Sequence, residues 1–217
     1  LAELEGDARQ VVARTLREAR EPRSLQGLVL DTGQPEEAVE GVVAGLLEAG
    51  EAVRLGDGQV LHRERLDEQR DRLLSLLGAY YGKHPARLWM PLPELQSQFL
   101  ERGPRPVLDH LLRDLQATGV LVRREVRVRL ADRRIQLPPA EQKLAGRLEA
   151  LYRQAGLSTP AEEDVREELR VPAGVFSSVM TALVEQEILV RLSDRVTVHA
   201  EPLQALRERV RNLIERH

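Results

Sequence analysis

Between Pro35 and Gly50 the apolar residues fall at Val39, Val42, Val43, Leu46 and Leu47, the stripe that an amphipathic helix turns toward a core. Proline sits near the start of this stretch, where a missing N–H costs nothing, and Gly50 follows its end. Then the period changes from about 3.6 to two. Ala52-Val53-Arg54-Leu55, Gly56-Asp57-Gly58 and Gln59-Val60-Leu61 read as strand, tight turn and strand. Ahead of the long helix lie two further helical stretches, 8–19 and 25–30.

The same grammar occurs three times. Leu46-x-x-x-Gly50-x-Ala52-Val53-Arg54 returns as Leu115-x-x-x-Gly119-x-Leu121-Val122-Arg123 and as Leu183-x-x-x-Glu187-x-Leu189-Val190-Arg191, at offsets of 69 and then 68 residues. Those offsets carry Pro35 onto Pro104 and Pro172, and Val39 onto Leu108 and Phe176. Helical stretches at 66–81 and 93–100 precede the second copy's long helix; 141–152 and 160–169 precede the third's. Hairpins follow at 120–130 and 188–199. Thr159-Pro160 with Glu162 and Glu163 reads as a capping-box start. Three helices and then a hairpin is the order of a winged helix, in which the hairpin "wing" covers the core.

The expected fold is therefore mainly α with small β-hairpins (α+β): three tandem winged helices plus a terminal helix, elongated. Segments 1–63, 64–137 and 138–199 form the modules. Segment 200–217 carries an amphipathic helix with Leu203, Leu206, Val210, Leu213 and Ile214 apolar, the first helix of a truncated fourth module. Leu1 and Arg216-His217 interrupt helical patterns, so the chain reads as an excised piece.

Composition narrows the chemistry. With no cysteine, disulfides, thiol catalysis and cysteine-held metals are excluded. The five histidines (62, 84, 110, 199 and 217) show no H-E-x-x-H pattern, and no Walker loop or G-x-G-x-x-G occurs. Gly41-x-x-x-Gly45 reads as close helix packing, Trp89 as a packing anchor, and the acidic run Glu162, Glu163, Asp164, Glu167 and Glu168 as a solvated helix face. No catalytic residue, metal ligand or cofactor site is expected, and the chain is not read as an enzyme. No apolar run reaches the ~20 residues of a membrane span, and no export signal is visible, so a cytoplasmic protein, monomeric and without membrane contact, is expected.

The overall charge of −3 hides a pattern. Segment 64–137 has a net charge of +4, between −5 for 1–63 and −3 for 138–199, with +1 for 200–217. The excess gathers in the second wing at Arg123, Arg124, Arg127 and Arg129, where Val126 and Val128 alternate with two arginines. Such a strand turns its valines inward and its guanidiniums out. Arginine's planar fork matches phosphate, while charge also protects ordinary sheet edges, so a phosphate-contacting wing and a solvated edge strand are both open. The third helix of the second copy adds Arg105, His110 and Arg113. Its counterparts carry Glu36, Glu37 and Glu40, or Ser177, Ser178 and Thr181 with no basic residue, which argues against promoter reading by all three modules.

Leu73-Leu74-Ser75-Leu76-Leu77-Gly78-Ala79-Tyr80-Tyr81-Gly82-Lys83-His84-Pro85 with Met90-Pro91-x-x-Glu94-Leu95 resembles the C-terminal tandem winged-helix extension of the bacterial selenocysteine-specific elongation factor. Leu148-Glu149-Ala150-Leu151-Tyr152-x-x-Ala155-Gly156-Leu157-Ser158-x-Pro160 is similar to the same family. The resemblance implies a role in translation and protein biosynthesis, in selenocysteine incorporation. Family members couple a GTP-binding body that carries selenocysteinyl-tRNA to four winged helices, the last of which grips the mRNA hairpin that recodes UGA. This chain would then be the RNA-binding arm between them, with possible ribosome contact and with Arg123, Arg124, Arg127, Arg129, Arg105 and Arg113 as candidate phosphate contacts. GTP and tRNA binding are not assigned to residues here. Two other classes fit the pattern: a tandem winged-helix DNA-binding regulator and a protein-docking scaffold without nucleic acid.

Overall fold

The computed structural model describes residues 2–194 and 196–215, with the side chains of residues 2–7 left aside. Leu1, Arg195, Arg216 and His217, on which parts of the sequence reading fall, lie outside the described residues. The order helix, helix, helix, hairpin occurs three times, and the chain is mainly α with small sheets, as expected. The first set is α1 (Ala2–Glu18), α2 (Leu25–Thr32), α3 (Glu36–Glu48), β1 (Ala52–Arg54) and β2 (Val60–His62). The second is α4 (Arg63–Lys83), β3 (Met90–Pro91), α5 (Leu92–Leu100), α6 (Arg105–Ala117), β4 (Leu121–Arg124) and β5 (Arg127–Leu130). The third is α7 (Pro139–Ala155), α8 (Glu162–Glu168), α9 (Ala173–Glu185), β6 (Leu189–Arg191) and β7 (Thr197–His199), followed by α10 (Ala200–Ile214).

The periodic apolar residues build the cores. Val12, Leu16, Leu28, Val39, Val43, Leu46, Ala52 and Val60 form one cluster. Leu144, Leu148, Tyr152, Val165, Phe176, Val179, Met180, Leu183 and Leu189 form another. In the second set Leu73, Leu77, Leu95, Phe99, Leu108, Leu111 and Leu115 are buried. Burial of each large side chain contributes roughly 1.5–3 kcal/mol, the main term holding modules this small together. The chain divides into two compact units, Leu1–Tyr80 with Met90–Asp132 and Tyr81–Trp89 with Arg133–His217. In the second unit Arg133 donates to the carbonyls of Pro85 (2.7 Å) and Arg87 (3.1 Å) and lies over the Tyr81 ring. Glu185 accepts from Arg87 Nη1 (3.1 Å) and from the Trp89 N–H (3.2 Å), so the buried Trp89 is an anchor, as read.

Three local readings change. No side chain caps α8, whose N-cap is Ala161 rather than Thr159. Glu162 is drawn instead to the third wing, where it accepts from Arg191 (2.9 Å) and Thr197 (2.7 Å), so the acidic run is not wholly a solvated face. A Cβ on Gly41 or Gly45 would meet nothing within 4 Å, so these glycines face open space rather than a packed neighbour. On α10 only Leu203 is buried, while Leu206, Val210, Leu213 and Ile214 are exposed.

Burial raises the Tyr152 phenol to about 12 from an ordinary 10.0, with Glu162 adding to the shift and Arg191 opposing it. A raised folded value means the stabilisation is complete below pH ~10 and is lost as pH climbs through the folded value, because the unfolded chain ionises first. Over that window the folded state should lose about 2–3 kcal/mol. The Tyr152 hydroxyl has no hydrogen-bond partner among the described residues, so Tyr152→Phe should fold normally and flatten this alkaline limb. Urea titrations of both proteins between pH 9 and 12 check it; parallel curves would show that Tyr152 ionises equally in both states.

Candidate nucleic-acid interface

The second wing differs from the other two in its turn. Strand pairing sets Ala52 against His62 in the first wing and Leu189 against His199 in the third, whereas Leu121 meets Leu130 in the second. The second hairpin is therefore one residue shorter, and its strands continue to a last pair, Arg124 opposite Arg127. Glu125 and Val126 form the two-residue turn, with Glu125 at φ 49° in the left-handed region that such turns require. Val126 is accordingly at the wing tip, 63% exposed, while Val128 is buried; the expectation that both valines point inward holds only for Val128. The alternation is real, but it stops at the turn.

β5 is also not an edge. Met90 and Pro91 pair with Val128 and Arg127, giving the sheet order β3-β5-β4, and the Leu92 N–H holds the Val126 carbonyl at 2.8 Å. The strand that carries Arg127 and Arg129 is thus central and braced at its tip, so edge protection cannot be the reason for its charge.

Directly opposed residues share a face. Arg124, Arg127, Arg129 and Val122 therefore lie on one face of the wing, and Arg123 lies on the other with Val128. Arg123, Arg124 and Arg127 are exposed; Arg129 is half-buried. The Arg129 Nη1 donates to the carbonyls of Leu130 (3.1 Å) and Ala131 (3.0 Å). The Arg123 Nε donates to the carbonyl of Glu125 in its own turn at 3.4 Å.

The α6 candidates lie elsewhere. Arg105 pairs with the Asp109 carboxylate (3.4 Å), and the Arg113 Nε donates to the Asp109 main-chain carbonyl (3.2 Å). A Cβ on Gly56 would stand 2.6 Å from Arg113 Nη2, which places that guanidinium against the first wing's turn. Burial lowers the His110 pKa; Asp114 opposes the shift while Arg113 and Arg63 reinforce it, so the imidazole is held toward its neutral form. With Arg105 paired to Asp109, Arg113 against the first wing's turn and His110 held toward neutrality, α6 offers less cation to a polyanion than its sequence shows.

One device was missed at the sequence level. Pairing register puts Arg54, Arg123 and Arg191 in the same column, opposite Val60, Val128 and Thr197. The first two bond carbonyls of their own turns, whereas Arg191 is neutralised by Glu162. The third wing thus spends its arginine internally. A residue-by-residue comparison of the repeat columns, setting Glu162 beside Arg191, was the signal that could have found it.

Among the described residues no group of three or more metal-ligating side chains occurs, and no helix is long and apolar enough to cross a membrane. Residues 74–130, which hold this wing, match the family model described as "Elongation factor SelB, winged helix".

The second module is similar to the winged helix of SelB.

A curated relative, the selenocysteine-specific elongation factor of Desulfomicrobium baculatum, is 27% identical over 161 residues, 73% of this chain. The chain spans about a quarter (25%) of that relative's length. Among solved structures, the mRNA-binding domain of elongation factor SelB from E. coli in complex with SECIS RNA aligns with 58% of this chain and 98% of its own, at 16% identity and a TM-score of 0.43. A bacterial selenocysteine-specific elongation factor, EF-Sec, aligns with 91% of this chain and 29% of its own, at 12% identity and a TM-score of 0.35. The resemblance to SelB read from the sequence is thus supported by a family model and by a curated relative.

Proposed function

We propose that this chain works in selenocysteine incorporation, as the tandem winged-helix arm of a translation factor whose GTP-binding body and selenocysteinyl-tRNA site lie in other parts of that protein. In this reading 1–63, 64–137 and 138–199 are the arm's modules, and α10 within 200–217 opens a further one. The partner is RNA: the recoding mRNA hairpin, read mainly by the module that α10 would open, with backbone contact along the arm and the ribosome close by. The arm itself performs no chemistry, needs no cofactor, and works as a monomer in the cytoplasm. The observation that carries the proposal is the coincidence of the SelB-type segment 74–130 with the module whose wing presents exposed arginines.

A chimera tests it. Residues 1–217 replace the matching segment of the Desulfomicrobium baculatum relative, and selenium-dependent read-through of a UGA codon is measured beside a recoding hairpin. Read-through within a few-fold of the parent is expected, and an unrelated pair of winged helices in the same place should abolish it. A chimera that folds and binds GTP but does not recode would overturn the proposal.

A further inference from the structure

Gly41 and Gly45 have no conformational reason to be glycine. Both sit inside α3, neither is in the left-handed region, and a Cβ on either would meet nothing within 4 Å. Glycine in a helix interior weakens the helix relative to alanine, so the pair costs stability without relieving a clash. The repeat shows what stands in these places elsewhere. Its offsets carry Gly41 onto His110 and Ser178, and Gly45 onto Asp114 and Ala182. The buried pairs Val12 and Leu16, Leu73 and Leu77, and Leu144 and Leu148 align the modules' first helices, which puts Arg9, Arg70 and Glu141 in one column. In the second module Arg70 meets Asp114 (3.9 Å), and in the third Ser178 donates to Glu141 (3.3 Å). Each of those helix pairs is closed by a side-chain bridge. In the first module both bridging positions on α3 are glycine, and Arg9 pairs with Glu51 instead (3.6 Å).

The consequence is a groove of about 630 Å³ between α1 and α3. Among the described residues its apolar lining comes from Ala8, Pro35, Ala38, Gly41, Val42 and Gly45, and its charged members are Arg9 and Glu37. Its walls are helices, whose backbone donors and acceptors are already bonded to one another, so it offers no strand edge. A segment that seats here without stranding its own polar backbone must itself be helical. Charge narrows the occupant further. Positions 37, 41, 45 and 48 share one face of α3 at i,i+4 and i,i+3 spacing, so the exposed Glu37 and Glu48 flank the two glycines. α3 also carries Glu36 and Glu40 and no basic residue, and segment 1–63 has a net charge of −5. A phosphate backbone is repelled by this face, whereas lysine and arginine are drawn to it.

We propose that the groove between α1 and α3 is a docking site for a basic amphipathic helix of a protein partner, its aliphatic ridge seated on Gly41 and Gly45 and its lysines or arginines against Glu37 and Glu48. Docking here goes beyond the RNA-binding reading and does not rest on it. Two glycines one turn apart, about 6 Å along the axis, leave a notch that matches the i,i+4 spacing of a helix ridge and let the partner's backbone come close. The other two modules cannot take the same partner, because the Arg70–Asp114 and Ser178–Glu141 bridges occupy the corresponding place. The charge that turns RNA away from the first module attracts the partner, and the +4 of segment 64–137 repels it.

The test is a fluorescence-anisotropy titration of the 217-residue chain against a labelled, helix-stapled peptide with leucines at i, i+4 and i+7 and lysines beside them. The parent chain should bind this peptide and ignore the same peptide with glutamate in place of lysine. Gly41→Leu/Gly45→Leu should weaken binding by at least about tenfold, because the ridge's place is filled. The same variant should melt higher than the parent, since leucine favours a helix interior and its Cβ meets nothing, so lost binding cannot be lost folding. Glu37→Gln/Glu48→Gln should weaken binding by roughly two- to tenfold, two surface ion pairs' worth. Glu163→Gln/Asp164→Asn, which removes the same charge from the third module, should change nothing. No binding by the parent chain, undiminished binding by the leucine variant, or an equal loss in the third-module control would each overturn the proposal. An RNA duplex that displaces the peptide and is itself lost from the leucine variant would overturn it too and reassign the groove to nucleic acid. The peptide carries no recoding signal, so docking can stand where the chimera fails and can fail where the chimera recodes.

Discussion

Phe99→Ala is expected to cost about 3–5 kcal/mol. The ring is fully buried. On one side Arg72 lies over it, 5.0 Å from guanidinium carbon to ring centroid, and donates to the backbone carbonyls of Gln98 (3.2 Å) and Phe99 (2.9 Å). Those carbonyls end α5, and α5 delivers Met90–Pro91 to the wing sheet through its first turn. A Cβ on Gly103 would stand 2.5 Å from Phe99 Cε1 and 3.0 Å from Arg72 Nη1, so the ring and the guanidinium have taken the space a side chain would need. Deleting it leaves a cavity that neither backbone nor Arg72 can fill, and it strips a desolvated guanidinium of its aromatic cover. Burial lowers the Arg72 pKa, with Arg102 adding to that and Glu101 opposing it. Gly103→Ala should destabilise the same site from the opposite direction, by overpacking, at about 1–3 kcal/mol. Urea unfolding followed by hydrogen exchange of the α5 amides reads both variants. A loss below about 1 kcal/mol for Phe99→Ala would mean that the site collapses freely and that the ring is no keystone.

How far the sequence foretold this molecule depends on the range of the forces involved. The winged-helix order was legible because each helix writes its own 3.6-residue period and each strand its period of two, and the repeat states both three times over. The inward valine Val128 and the outward Arg127 followed from alternation alone. Val126 did not, because alternation in the letters runs on through a two-residue turn whose geometry reverses the chain. β3 left no trace, since two residues have no period, yet those two residues make β5 a central strand. Glu162 was assigned to its own helix terminus by a local capping rule. The structure gives it to Arg191 and Thr197, which lie 29 and 35 residues away along the chain, and no local rule reaches that far. The α6 arginines divide along the same line: the i,i+4 pair of Arg105 with Asp109 is local and open to a sequence rule, while the Gly56 turn against Arg113 is a tertiary fact.

The second large effect concerns selectivity. Base reading in a winged helix falls to the third helix of a module, which presents donors and cations to a groove. In this chain α3 carries Glu36, Glu37, Glu40 and Glu48 without a basic residue, and α9 has neither arginine nor lysine. α6 has its Arg105 paired with Asp109 and its His110 held toward neutrality. On the proposed reading, what remains for RNA is a small set of phosphate contacts on the second wing. Contacts of that kind supply weak, salt-sensitive binding, with Kd on the order of 10⁻⁴–10⁻⁶ M at physiological salt. Base-specific sites gain roughly 4–10 kcal/mol beyond that floor in protein–DNA systems, a gain the proposed reading does not give to these modules. Residues 1–217 are therefore expected to bind a UGA-recoding hairpin and a scrambled hairpin of equal length with nearly the same micromolar or weaker Kd. Parallel titrations at one fixed salt concentration decide it. Binding in the nanomolar range, or a preference of more than about tenfold (1.4 kcal/mol) for the recoding hairpin, would place a base-reading surface within these residues, and α6 would be where to look for it first.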